Sequence, residues 1–233
     1  MTVIARRATY GFGDLPSLMS LMTGDAKHDQ AAASTLDVLW VLYDRVLQVS
    51  AETVGEDSRD RFLLSKGHGP MAYYAVLAAK GFLDVAELPG FASFHSPLGS
   101  HPDRNLVPGA EISSGSLGHG LPLGVGMALG LRARGLTGSR VFILVGDAEL
   151  DEGSNAEAIA LARAARLDTV HVVVVDNASA THGWPGGVET RFTVEGWSAA
   201  RVPGRDHDAL AAALTASHPG RPRVVVAEVE PKR

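Results

Sequence analysis

Two short apolar runs without polar alternation stand out in the middle of the chain. They are VFILVG at 141–146 and VHVVVVD at 170–176, and both are rich in β-branched residues. Such runs are typical of strands buried on both faces of a parallel sheet. The Ala-rich segment at 154–166 between them predicts a helix, and therefore a right-handed βαβ unit. A predicted helix at 206–216 and the run RVVVAEV at 223–229 extend the pattern. We therefore predict a doubly wound α/β fold with a mainly parallel sheet and helices on both faces.

The first part of the chain is less regular. Ser34 and Asp37 have the spacing of a capping box in front of the apolar run LDVLWVLYDRVL, so we predict that a helix begins at Ser34. Because this run is apolar nearly all round, the helix should be buried on several sides. Shorter helices are predicted at 71–80 and 87–94.

A glycine-rich apolar segment, GSLGHGLPLGVGMALGLRAR, occupies residues 115–134. Pro122 suits the first turn of a helix. Glycines 124, 126 and 130 lower the helix propensity of the segment, so close packing by a neighbouring backbone should compensate for them.

The composition is that of an ordinary globular protein, with 45% hydrophobic and 20% charged residues. Its 233 residues are enough for one large domain, placed at 34–233, with an N-terminal extension at 1–33. The formal net charge of −5 argues against a nucleic-acid or anionic-membrane partner. The absence of cysteine excludes disulfides, Cys-ligated zinc and thiol catalysis. We find neither an apolar run long enough to span a membrane nor a signal peptide, so we expect a cytoplasmic protein.

Two polar residues follow the central predicted strands. Asp147 comes after the first and Asn177 after the second. Because the carboxyl ends of parallel strands meet at one edge of the sheet, both side chains should lie where ligands of open α/β sheets bind. Carboxylate and amide oxygens suit Mg²⁺ or Ca²⁺ better than zinc. On spacing alone, a helix cap at Asp147 and a turn at Asn177 remain the simpler interpretation.

The residues around this pair resemble a known family. The segment that starts GDAELDEGSNAEA and ends VVVVDN resembles the thiamine diphosphate motif, which opens with Gly-Asp-Gly and closes with Asn. Upstream, RFLLSKGHGPMAYYAVLAAKGFL, GSHP and SSGSLGHGLPLGVGMALG resemble the N-terminal subunit of two-component transketolases. Several separate motifs in the family's order, over residues 28–229, carry the resemblance. It implies the thiamine diphosphate-binding fold.

The resemblance also implies a metal and diphosphate site. The side chains of Asp147 and Asn177, with the backbone carbonyl of Ser179, would bind the metal that bridges the diphosphate. Gly146 and Ala148 would bring the backbone close to the phosphates.

Four further residues match cofactor contacts of the family. His68, in SKGHG, matches a histidine beside the diphosphate. Gly115 and Leu117 match residues that approach the aminopyrimidine. Glu152 matches a glutamate that links the two cofactor sites across the dimer.

Three histidines match catalytic positions. His101, in GSHP, matches a histidine that contacts the sugar hydroxyls beside the reactive thiazolium carbon. His207 resembles a Gly-His-Asp histidine that reaches the same pocket, and His28 matches the first active-site histidine. His119 stands where many relatives carry glutamine, and either a substrate contact or a structural role fits it.

The chain departs from the family pattern in three places. Ala148 replaces the last glycine of Gly-Asp-Gly and would be strained if the backbone there had a positive φ. Residues 27–30 read KHDQ in place of Gly-His-x-Gly, and the sequence ends at AEVEPKR where relatives run into a Thr-x-Lys-Gly-x-Gly segment.

The resemblance also implies a partner. In the family a glutamate of the pyrimidine-binding domain helps to form the carbanion at the thiazolium C2, and we find no such domain here. We therefore expect a C-terminal transketolase subunit in an α₂β₂ assembly that transfers a two-carbon ketol unit from a ketose to an aldehyde, with sugars or sugar phosphates as substrates. The apolar helix at 36–47 and the glycine-rich segment at 118–130 are expected at this large interface, although burial within the domain would also explain each.

Two alternative functions remain at this point. One is another thiamine diphosphate enzyme, either a ketoacid-using carboligase or a relative of deoxyxylulose-phosphate synthase, and GSLGHG and GSHP argue against it. The other is a non-catalytic regulatory half-subunit, which the departures at 27–30 and at Ala148 would fit.

Overall fold

The computed structural model describes residues 10–23 and 29–231. Within them five strands form one sheet in the order β1-β2-β3-β5-β4, and every neighbouring pair is parallel. The strands are β1 (Arg61–Leu64), β2 (Val141–Gly146), β3 (Val170–Asp176), β4 (Ser198–Pro203) and β5 (Arg223–Glu228). The predicted α/β fold with a parallel sheet is confirmed.

Helices cover both faces of the sheet. They are α1 (Leu15–Ser20), α2 (Asp29–Val41), α3 (Met71–Ala79), α4 (Gly120–Ala133), α5 (Gly153–Ala164), α6 (Val188–Thr193) and α7 (His207–Thr215). One cluster of buried apolar residues joins α1, α2, α3 and α7 to the sheet, and a second joins α4, α5 and α6 to its other face. Alternate residues of β2 serve the two clusters, as the pleat of a strand requires.

Most of the predicted elements are confirmed to within two residues at each end, namely the strands at 141–146, 170–176 and 223–229 and the helices at 71–80, 154–166 and 206–216. The helix predicted at 87–94 is instead a short 3₁₀ segment, Val85–Gly90, capped by the Asp84 side chain. Pro89 lies inside it and cannot donate the hydrogen bond that would continue an α-helix.

The helix start predicted at Ser34 is wrong. Helix α2 already includes Asp29, and the Ser34 hydroxyl donates to the carbonyl of Ala31 at 2.8 Å. A serine inside a helix can satisfy its hydroxyl in this way without capping anything. The domain boundary proposed between residues 33 and 34 therefore falls inside α2, and Leu15 of α1 is fully buried in the core beside it.

The apolar run at 36–47 does not need another subunit to cover it. Val38, Val41 and Leu42 are completely buried within this chain, where α2 packs against α3 and α7. The expectation that this helix lies at a subunit interface is wrong.

The glycine-rich helix behaves differently. Helix α4 begins at Gly120 with Pro122 in its first turn. A Cβ on Gly124 would lie 2.5 Å from Ile143, so this glycine lets the helix pack closely on β2. At Gly126 and Gly130 nothing in the described part of the chain lies within 4 Å of such a Cβ. One glycine thus serves the core, and the other two lie on the outer surface.

Candidate active site

A cavity of about 560 Å³ lies at the carboxyl edge of the sheet, where open α/β sheets bind their ligands. Its walls come from the segments that follow the strands and from the start of α2. The lining residues are Ala31, Ala33, Ser34, Lys66, His68, Leu117, Gly146, Ala148, Glu149, Asn177, Ser179, Arg205, Glu230 and Pro231.

Asp147 is held by the segment that follows β3. Its carboxylate is only 2% exposed. The backbone N–H and the hydroxyl of Ser179 donate to its two oxygens, both at 2.6 Å, and the N–H of Ala180 donates at 3.0 Å. Among the described residues no ion pair involves this carboxylate. Neutral donors orient the charge without cancelling it, so Asp147 can still bind a cation.

Asn177 supplies a second oxygen at the same edge. The residue is buried, and its Oδ1 has no hydrogen-bond partner in the described part of the chain. A buried acceptor without a partner costs about 1–3 kcal/mol, and a ligand in the cavity would remove that cost. In the described ranges no group of three or more His, Cys, Asp or Glu side chains could hold a metal. A hard cation at this edge would therefore draw most of its oxygens from backbone, water or a bound phosphate.

Ala148 fits its position without strain. It starts a short 3₁₀ segment, Ala148–Asp151, and it is not among the residues with a positive φ in the described ranges. The departure from Gly-Asp-Gly therefore adds one methyl group to the cavity wall. Gly146 lies close to the Lys66 side chain, since a Cβ there would be 3.3 Å from Lys66 Cδ.

Sequence reasoning missed Glu149. This carboxyl is 2% exposed and lines the cavity. Its Oε1 accepts from the Ser65 hydroxyl and from the N–H of Gly118 at 3.0 Å, whereas its Oε2 has no partner among the described residues. Burial raises the pKa of the Glu149 carboxyl, and the bonds from Ser65 and Gly118 lower it in part. No local pattern could have indicated this residue, because its partner Ser65 is 84 positions away.

The glycine-rich loop before α4 reaches the cavity beside two histidines. Leu117 is 49% exposed and lines the cavity with His68. The rings of His68 and His101 lie 5.6 Å apart, edge to face. Gly115 has φ +122, and a Cβ there would approach the His101 ring at 3.3 Å. The structure therefore brings together Gly115, Leu117, His68 and His101, with His101 behind the residues that line the wall.

His207 lies deeper than the sequence suggested. Its Nε2 is 2.9 Å from Asp37 Oδ1, and its ring packs edge-on against Phe12. Arg205 bonds the other oxygen of Asp37 at 2.5 Å and binds Glu230 at 2.6 Å. Arg205 and Glu230 line the cavity, whereas His207 is not among the lining residues.

The other predicted residues lie outside the wall or outside the described ranges. His119 is exposed, and its Nδ1 is 2.9 Å from the Ser116 hydroxyl. Glu152 is an exposed residue at the start of α5 that packs against Gly118. His28 lies outside the described residues. Separately, the described helices include none with the length and apolar character needed to cross a membrane.

Comparison with known proteins agrees with this geometry. The family model for the transketolase thiamine diphosphate binding domain matches residues 19–229. One of the named subunits of apulose-4-phosphate transketolase from Actinobacillus succinogenes is 32% identical over 207 residues, which cover 86% of this chain and 75% of that protein. Transketolase from Leishmania mexicana superimposes with a TM-score of 0.76 at 22% identity, covering 95% of this chain and 37% of that one. The last likeness shows the fold.

A further relative carries a different name. Ferredoxin fas2 of Rhodococcoides fascians is 56% identical over 220 residues, which cover 94% of this chain and 72% of that protein. Iron–sulfur clusters are held mainly by cysteine thiolates, and the 233 residues of this chain include no cysteine. The shared part is therefore not a Cys-ligated cluster domain.

The family match spans most of the chain, and the resemblance to the N-terminal subunit of two-component transketolases is confirmed by the relative from Actinobacillus succinogenes. The chain therefore belongs to the transketolase family, in which it corresponds to the thiamine diphosphate-binding domain.

Proposed function

We propose that this chain is the cofactor-binding subunit of a two-component transketolase that moves a two-carbon ketol unit from a ketose to an aldehyde. The observation that carries the proposal is the strand-end cavity, where Asp147 is oriented but uncompensated and the Asn177 oxygen has no partner among the described residues. Thiamine diphosphate, when bound, carries the two-carbon unit, while the protein orients it and selects the substrates.

Asp147, Asn177 and the backbone carbonyl of Ser179 would hold Mg²⁺ or Ca²⁺ together with the diphosphate. The donor set supports this assignment, because a carboxylate and an amide oxygen are hard ligands. Gly146 and Ala148 both line the cavity, so the backbone of this segment can approach the phosphates.

The histidines would act on the sugar. His68 lines the cavity and His101 stands beside it, so both can reach polar groups of a substrate bound next to the cofactor. For His207 to act there, its bond to Asp37 would have to open. The role proposed for His28 depends on the resemblance alone.

A C-terminal subunit would complete the site in an α₂β₂ assembly. The relative from Actinobacillus succinogenes is named as one lettered subunit of its transketolase, which supports a second chain here. The outer surface of α4 and α5 supports its position: Gly126 and Gly130 are bare, and Leu123 and Leu161 are each 50% exposed. We refer to these four residues as the α4–α5 face.

Mixing the purified chain with its cognate C-terminal subunit tests the proposal. We expect ketol transfer from a ketose to an aldehyde only in the mixture, and only with thiamine diphosphate and a divalent cation. A mixture that binds thiamine diphosphate but transfers no ketol unit would instead favour a non-catalytic subunit. Turnover by this chain alone at the rate of the mixture would contradict the two-component assignment.

A further inference from the structure

A buried polar network holds the glycine-rich loop against the segment that follows β2. The peptide of Gly118 is gripped on both sides: its N–H donates to Glu149 Oε1 at 3.0 Å, and its carbonyl accepts from the Ser154 hydroxyl at 2.6 Å. Two residues further on, the N–H of Gly120 donates to the Ser65 hydroxyl at 3.1 Å, and Ser65 in turn donates to Glu149. Glu149 is thus the centre of a network that reaches both ends of this turn.

The loop can adopt this geometry only because it is made of glycine. Gly118 has φ +79, and a Cβ there would lie 2.6 Å from Glu152 Cβ. At Gly120 a Cβ would lie 2.2 Å from Ser65. Glycine makes the close approach possible but leaves the backbone free to move, so the polar bonds from Glu149 and Ser65 must fix the loop.

Asp147 does not depend on this network. Its carboxylate is oriented by Ser179 and Ala180, on the segment after β3. The two halves of the cavity wall are therefore fixed by separate sets of hydrogen bonds, one around Asp147 and one around Glu149.

We propose that Glu149 is a positioning residue that sets the loop carrying Gly115 and Leu117 against the thiamine end of the cofactor, independently of the diphosphate site at Asp147. The inference rests on the proposed function for which end of the cofactor each loop meets. Glu149 acts through Gly118 and Ser65 and does not enter the reaction itself.

Binding of two ligands by the assembled complex separates this role from general damage to the site. With Mg²⁺ present, Glu149→Ala should weaken thiamine diphosphate binding about tenfold, because the N–H of Gly118 loses its charged acceptor. Inorganic pyrophosphate should bind within about twofold of the parent, a difference well below the tenfold that 1.4 kcal/mol represents. Titration calorimetry with each ligand gives the two ratios.

Three companion variants sharpen the test. Glu149→Gln keeps an oxygen that can accept from Ser65 and Gly118, so it should restore most of the thiamine diphosphate affinity. Ser65→Ala should show the same selectivity in milder form, and it serves if Glu149→Ala fails to fold. Asp151→Asn, in the same 3₁₀ segment but outside the network and the cavity wall, should bind both ligands like the parent.

An equal loss for both ligands, or no loss for either, would overturn the positioning role. So would a Glu149→Gln variant as weak as Glu149→Ala. These binding ratios require no turnover, so they decide the role of Glu149 even if the parent complex shows no ketol transfer, which would count against the proposed function instead.

Discussion

Ser179 closes on Asp147 from two directions at once. Its backbone N–H donates to Asp147 Oδ2 and its hydroxyl donates to Oδ1, each at 2.6 Å. The two residues are 32 positions apart, yet the parallel pairing of β2 with β3 brings the ends of both strands to one edge. A single residue therefore fixes the orientation of the carboxylate that we propose binds the metal.

Asp147→Ala should abolish Mg²⁺-dependent binding of thiamine diphosphate by the assembled complex. The loss removes the only charged ligand that this chain is proposed to give the metal, and we expect an affinity at least about 100-fold lower, or about 2.7 kcal/mol. Calorimetry with and without Mg²⁺ measures the effect. Unchanged affinity for the cofactor would contradict the metal assignment.

Asn177 should show a graded effect. Asn177→Ala removes the unpartnered oxygen and should weaken cofactor binding about tenfold, since a bond to a charged group contributes about 1.5–3 kcal/mol. Asn177→Asp keeps a hard oxygen at the same position and should bind more tightly than Asn177→Ala. The reverse order in a Mg²⁺ titration would argue that the amide group donates to the ligand instead.

His101→Ala should separate binding from catalysis. The ring lies beside His68 and Gly115, behind the diphosphate end of the cavity, so cofactor affinity should stay near that of the parent complex. If the histidine takes part in acid–base steps, ketol transfer should slow by about 100-fold. Steady-state rates at saturating cofactor provide the measurement, and parental rates would remove His101 from the site.

The sequence predicted the parts of this site that depend on local order. Asp147 and Asn177 follow adjacent buried strands, and the βαβ rule alone brings them to one edge. Ser34 was misassigned because a capping-box spacing does not reveal whether the helix has already begun. Glu149 was missed because its importance arises from Ser65 and Gly118, which only the folded chain brings to it.

The position of His207 illustrates the same limit. The family motif places it in the pocket, whereas here Asp37, 170 positions away, holds its Nε2. An ion pair between distant segments leaves no periodic signal in the sequence. Similarly, nothing in the run at 36–47 showed whether its apolar surface would meet another subunit or, as found, α3 and α7 of the same chain.

Stability should fall at mildly acidic pH because of His171. The ring is buried, stacked 4.5 Å from Phe142 and edge-on to His218 at 4.7 Å. Burial lowers the pKa of His171 well below 6.5, and the neighbouring His218, Arg140 and Arg223 lower it further. The folded state keeps the ring neutral while the unfolded state takes up a proton. This contribution is therefore complete above about pH 6.5 and is lost as the pH falls below it, by up to about 1.4 kcal/mol per pH unit.

Urea unfolding at pH 7.5 and pH 5.5 measures this loss, and His171→Gln is the matched variant because it cannot take up the proton. Carboxyl groups also titrate in this range, so the informative quantity is the difference between the two proteins. The parent should lose about 1 kcal/mol more than the variant between the two pH values. Equal losses would show that the buried ring does not control the acid sensitivity.

The α4–α5 face should tolerate a charge as a surface but not as an interface. Nothing in the described part of the chain lies within 4 Å of a Cβ built on Gly126, so Gly126→Glu should not disturb the fold. A glutamate inside a helix should even raise the stability of the isolated chain by up to about 1 kcal/mol relative to glycine. In the α₂β₂ assembly the same charge would be buried without a partner, which is costly.

Light scattering on the mixture with the C-terminal subunit decides whether the α4–α5 face is the interface. Gly138→Glu is the control, because Gly138 is equally open and precedes β2 at the opposite edge of the sheet. We expect the mass of the assembly for the parent and for Gly138→Glu, and the mass of separate subunits for Gly126→Glu. A Gly126→Glu chain that unfolds at or above the parental temperature and still assembles with its partner would show that the second subunit binds elsewhere, because the added charge would then remain in water.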